Sequence, residues 1–129
     1  MPDHDSREPM LRITVFLLVL APVAAFAQEV PAEAQMDLWC GTAFELMTRD
    51  APADATPEKL AAAKVYADGG ALLVNRALPI YLESGYSDAA LADYRSDLEA
   101  AVGRVVNGST RSGEEPAYSF QDCSALIGQ

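Results

Sequence analysis

The chain has 129 residues, half of them hydrophobic, with 19 acidic against nine basic side chains and a formal net charge of −10. That charge repels phosphate backbones and anionic lipid heads, which excludes nucleic acid and membrane surfaces as natural partners. The length allows one domain with one modest core.

The first nine residues carry Asp3, Asp5 and Glu8, and the character changes at Met10. From there the chain reads as a secretory leader: Arg12, an apolar run from Ile13 to Leu20, and an Ala25-Phe26-Ala27 ending. The run is broken by Pro22 and falls short of the roughly 20 residues of a membrane span. The expectation is a leader over residues 1–27, with residues 1–9 a misassigned start before Met10, and a mature domain over 28–129. Cleavage there leaves 102 residues, with 16 acids and seven bases. It also removes His4, the single histidine.

Residues 28–34 form a polar lead. Over 34–49, Met36, Trp39, Cys40, Ala43, Phe44 and Met47 recur at helical spacing and define one amphipathic face, with Arg49 in the last turn. Thr56-Pro57-Glu58 is a helix start, because threonine caps, proline suits the first turn and a carboxylate favours the positive dipole end. The helix it opens runs to about residue 83. Gly69-Gly70 and Pro79 weaken its interior, so a bend or division near 75–79, or two shorter helices, is expected. Gly69-Gly70 reads as a close helix contact or a bend rather than a phosphate cradle. Gly85 ends the segment.

Ser87-Asp88 opens the next helix, whose stripe is Leu91, Tyr94, Leu98, Ala101, Val102 and Val105, and Asn107-Gly108 stops it. Residues 109–116 are a polar turn. A short last helix over about 119–127 offers Phe120, Cys123, Leu126 and Ile127 to the core. The fold expected is all-α: a compact four-helix domain with no strand and no internal repeat.

An exported chain with two cysteines usually pairs them, and here the only connectivity is Cys40 to Cys123. The bond would join the first helix to the last and enclose nearly the whole mature domain. A redox role is disfavoured, since C-x-x-C is absent and neither thiol has a base nearby in sequence. Two thiols without histidine make no closed zinc site. Without histidine there is no Ser-His-Asp or Cys-His arrangement, and no phosphate-loop motif occurs. Asp93 and Asp97, one turn apart, read as a solvated face. Asn107-Gly108-Ser109 matches a sequon but reads as a turn. No enzyme, metal or cofactor is expected. Tyr66 and Tyr81 flank the expected bend and are the candidates for a ligand pocket between helices.

At Trp39-Cys40 with Ala43-Phe44, and at Tyr118-Ser119-Phe120-Gln121-Asp122-Cys123 with Leu126, the chain resembles small exported helical proteins of proteobacteria that hold one disulfide. That resemblance implies compartment and fold, not an activity. A fainter similarity is to the acid-activated periplasmic chaperones of the HdeA type, which place a tryptophan just before the first cysteine. This chain differs in its wider cysteine separation, its greater length and acidity, and its lack of a lysine-rich tail. The functional expectation is a periplasmic or secreted protein of structural or interaction type, binding another periplasmic protein. The alternatives are an acid-stress chaperone and a small-ligand-binding module.

Overall fold

The computed structural model describes residues 29–50 and 52–129. The expected leader, the Met10 start and the cleavage site lie outside them. Four helices make up the regular structure of the described residues: α1 (Ala32–Thr48), α2 (Pro57–Glu83), α3 (Asp88–Val106) and α4 (Phe120–Ala125). No strand occurs among these residues, and none of their helices is long and apolar enough to cross a membrane.

Three of the helices begin where a hydroxyl satisfies an otherwise orphaned N–H. Thr56 Oγ1 accepts from the Lys59 N–H at 3.3 Å, Ser87 Oγ from Ala90 at 3.1 Å, and Ser119 Oγ from Asp122 at 3.0 Å. α1 starts two residues earlier than its apolar pattern, directly after Pro31, and has no side-chain cap. The first turns after α2 and α3 are closed by Gly85 (φ +107°) and Gly108 (φ +67°), a left-handed backbone that glycine adopts without a Cβ clash.

α2 is one continuous helix of 27 residues with Pro79 inside it, not two shorter ones. Proline removes one backbone donor, and the acceptor it strands is the carbonyl of Asn75, four residues back. Pro79 and Asn75 both lie on the exposed face. The freed carbonyl therefore sits on the solvent side, where leaving it without an intrahelical partner costs little, and the helix runs through.

α1 is the hub, packing against α2, α3 and α4, and α4 also meets α2, where the Phe120 ring lies 5.6 Å from that of Tyr66. The reading of one apolar face on α1 was incomplete. Between Asp37 and Phe44 every residue but Trp39 is buried. One side of α1 joins Val74, Ala77, Tyr81 and Leu91 through Ala34 and Leu38. The other side, through Cys40 and Phe44, joins Leu73 and Cys123. Asp37 is carried into the core on the same helix and is held there by Arg76 of α2, whose Nε and Nη2 each donate at 2.7 Å. The Arg76 side chain is half exposed while that of Asp37 is nearly covered. The pair therefore hydrates its cation and satisfies its buried carboxylate with two charge-assisted bonds.

α1 and α2 cross with backbones in contact. A Cβ built on Gly41 would lie 2.7 Å from Val74 Cγ2 and 2.8 Å from the Gly70 carbonyl oxygen. One built on Gly70 would lie 2.9 Å from Phe44 Cβ. Gly70 is thus a close helix contact with Gly41 as its counterpart on α1, whereas a Cβ on Gly69 would meet the Ile127 side chain at 2.8 Å. The disulfide forms between Cys40 and Cys123, with their Cα atoms 5.2 Å apart, and joins the first helix to the last.

Candidate functional site

Tyr66 and Tyr81 do not come together. Fifteen residues of unbroken helix set them about 22 Å apart along α2 at 1.5 Å per residue. Tyr66 packs beside the disulfide, its ring 5.2 Å from Phe44 and 5.6 Å from Phe120 between centroids. Tyr81 belongs to the other cluster, 5.3 Å from Tyr86 and 5.4 Å from Tyr94.

The Tyr81 ring is 1% exposed, and its hydroxyl is buried with no hydrogen-bond partner. Burial, and next the neighbouring Tyr94 hydroxyl, push its pKa well above the ordinary phenol value. Tyr94 is near enough to act on the titration but does not sit in hydrogen-bonding geometry. An orphaned buried hydroxyl costs free energy. Tyr81→Phe is therefore expected to raise stability by about 1 kcal/mol, the low end of that cost. Urea unfolding checks it, and a loss of stability would mean that the hydroxyl is satisfied after all.

An apolar concavity lies elsewhere. A cleft of about 480 Å³ opens between α1, the end of α3 and the segment leading into α4. Trp39, Ala43 and Met47 form the α1 wall, above Phe44. Val105 and Val106 form the second wall, and Pro116, Tyr118 and Phe120 the third. Trp39 and Tyr118 meet edge to face at 5.6 Å, which joins the first wall to the third. Met47 and Phe120 are about half exposed at 48% and 53%. Cys123 lies at the base, so the disulfide anchors the third wall to α1.

A second groove of similar volume, about 480 Å³, runs beside the expected bend and is lined by Met36, Asp37, Arg76, Ile80 and Leu126 among others. Of its three charged groups, Asp37 and Arg76 already satisfy each other, and Glu33 adds a second carboxylate. Neither Tyr66 nor Tyr81 lines either concavity.

The third wall of the cleft belongs to a strap, residues 107–119, which an ion pair ties to α3. Arg104 Nε and Nη2 donate to the two Glu114 carboxylate oxygens at 3.0 and 2.8 Å, and the Arg111 N–H adds a bond at 3.3 Å. The Arg104 guanidinium, followed by the Arg111 N–H, lowers the Glu114 pKa from its ordinary 4.5 to about 2. A depressed carboxylate pKa contributes stability above the unfolded value. That contribution is lost as the pH falls from about 4.5 through about 2. The Glu114 carboxyl is expected to titrate near pH 2 in a carbon-detected NMR series, and Arg104→Gln should return it toward 4.5. A native midpoint already near 4.5 would show that the strap is untied.

Sequence reasoning reads Met47 and Val105 as core-facing and names Tyr118 only in a motif, and it gives Val106 and the apolar run Pro116-Ala117 no role in a site. The last is an apolar interruption just after a polar turn, and it was the available signal. Asp93 and Asp97 both lie on exposed positions of α3. Among the described residues no group of three His, Cys, Asp or Glu side chains is placed to hold a metal ion.

Fold and cleft together define a small all-α domain, locked from first helix to last by one disulfide. No family model, no curated protein and no solved structure matches the chain.

Proposed function

We propose that the chain is a small exported, non-catalytic binding protein that takes an apolar ligand in the cleft between α1, α3 and the strap. The observation that carries this reading is the cleft itself, an open concavity walled by Trp39, Tyr118 and Phe120 and of ligand-pocket size, about 480 Å³. Exposed apolar concavities of this kind commonly mark binding surfaces. A partner protein offering an apolar side chain would meet the same walls.

Export is supported by the leader-like sequence over 10–27 and by the Cys40–Cys123 bond, since disulfides persist in oxidising compartments. The non-catalytic reading rests on the loss of the only histidine with the leader and on the lack of a nucleophile-base motif in the sequence. The acid-chaperone alternative gains nothing from the cleft. The Arg104 guanidinium lowers the Glu114 pKa to about 2, so this pair outlasts carboxylates of ordinary pKa as the pH falls.

Uptake of N-phenyl-1-naphthylamine, an uncharged fluorophore that brightens in apolar surroundings, tests the binding reading. The oxidised protein is expected to take up one equivalent saturably, and Met47→Gln on the cleft rim to weaken uptake at least several-fold. Absent uptake, or uptake indifferent to Met47→Gln, overturns it. The export reading is tested by the unreduced mass of the protein recovered from its own cell. A chain starting at Gln28 and two hydrogens lighter than the dithiol is expected, and a full-length dithiol refutes it.

A further inference from the structure

We infer that the cleft selects a cationic amphiphile, an apolar chain ending in an ammonium group that Asp122 seats. The inference rests on the cleft being the binding site and goes further by naming the chemistry of its occupant.

Charge complementarity carries it. Asp122 is the only carboxylate among the residues lining the cleft, and no lysine, arginine or histidine is among them. Asp122 stands in the first turn of α4 with its N–H held by Ser119 Oγ. Among the described residues no basic side chain pairs with its carboxylate. The nearest cation in sequence to the α3 wall is Arg104, beside Val105, and both arms of its fork are turned to Glu114. An anionic headgroup would thus find no donor cation at the cleft and would enter the field of a strongly acidic chain, with 19 acids to nine bases. An ammonium group finds the opposite: a carboxylate in the lining, with the aromatic rings Trp39 and Tyr118 beside it, a residue type whose quadrupole attracts cations. The alkyl body would lie along Phe44, Met47 and Val105.

The test uses three ligands with one tail, decylamine, 1-decanol and decanoate, at pH 7 and below their aggregation limits. Trp39 is the only tryptophan and lines the cleft, so its emission reports binding there. Decylamine is expected to bind about fivefold tighter than decanol, the upper worth of a solvent-accessible ion pair, and decanoate weaker than decanol. Salt at about 1 M, where the screening length falls to about 3 Å, should narrow the gap. Asp122→Asn keeps the backbone bond to Ser119 and should bring decylamine to the level of decanol.

If decanol and the naphthylamine bind but decylamine gains nothing, the cationic inference fails and the binding reading stands. If none of the probes binds, both fail. If the decylamine preference survives Asp122→Asn, the attraction comes from the overall charge and the seat at Asp122 is overturned.

Discussion

Replacing Cys40 and Cys123 by alanine, or reducing the bond between them, is expected to lower stability by about 4.5 kcal/mol. The sequence separation of 83 sets that figure, through the closure entropy that the crosslink removes from the unfolded chain. A domain of this size holds only about 5–15 kcal/mol in all, so at least about a third of its margin would go. The melting temperature should fall by about 20–35 °C, at roughly 4–8 °C per kcal/mol. Folded-state geometry points the same way. α4 has six residues, held by α1 and by the Tyr66 and Leu73 side chains of α2, and an isolated helix shorter than about 12 residues is marginal in water. The first amides to lose exchange protection on reduction should be those of α4 and the strap. The contact of α1 with α2 persists longer, because Leu38, Val74, Ala77 and Tyr81 pack together away from the disulfide. Parallel melts with and without reductant, together with amide exchange, check this. A fall of less than about 1 kcal/mol would mean that the C-terminal segment is held by its apolar contacts and not by sulfur.

The helices were legible because their boundaries are chemical. Thr56, Ser87 and Ser119 are caps that no tertiary contact needs to supply, and the α3 stripe from Leu91 to Val105 turns inward as its spacing dictates. Burial of α1 on two sides was not legible in the same way. Periodicity identifies one apolar face, whereas Asp37, Gly41 and Thr42 are buried only because a second layer arrives from elsewhere in the chain. Asp37 reads as a solvent residue until Arg76, 39 positions on, is placed against it. The cleft has a similar history. Its α1 wall lies on the apolar face read from sequence, but it becomes a cavity only when the disulfide and the Arg104–Glu114 pair bring residues 116–120 across. Tyr66 and Tyr81 were chosen for their position around an expected bend. Continuity of α2 through Pro79 sends them to separate clusters, and nothing within the helix's own sequence separates a tolerated proline from a breaking one. The exposure of Asn75 and Pro79 decides it, and exposure is a property of the packed molecule.

Gly41→Val carries the second large effect, a loss of at least about 3 kcal/mol, the upper range for overpacking a filled interior. Even the first atom of the new side chain would stand 2.8 Å from the Gly70 carbonyl oxygen and 2.7 Å from Val74 Cγ2. Val74 can turn its methyl aside, but a helix carbonyl moves only with its helix. Relief therefore requires α1 and α2 to separate where they cross. Leu38, Leu73 and Ala77 line this crossing and are fully buried, so separation opens space around all three. Greater helix propensity recovers less than about 1 kcal/mol of this, since valine is only modestly better than glycine in a helix. Gly103→Ala in α3 is the matched control, because its Cβ would meet only Leu46 Cδ1 at an ordinary 3.9 Å. That variant should gain up to about 1 kcal/mol from propensity alone. Denaturant midpoints for the two proteins are expected to move in opposite directions. Equal and small shifts would mean that α1 and α2 do not touch through their backbones, and that the hub of the fold is packed more loosely than a glycine-to-glycine crossing requires.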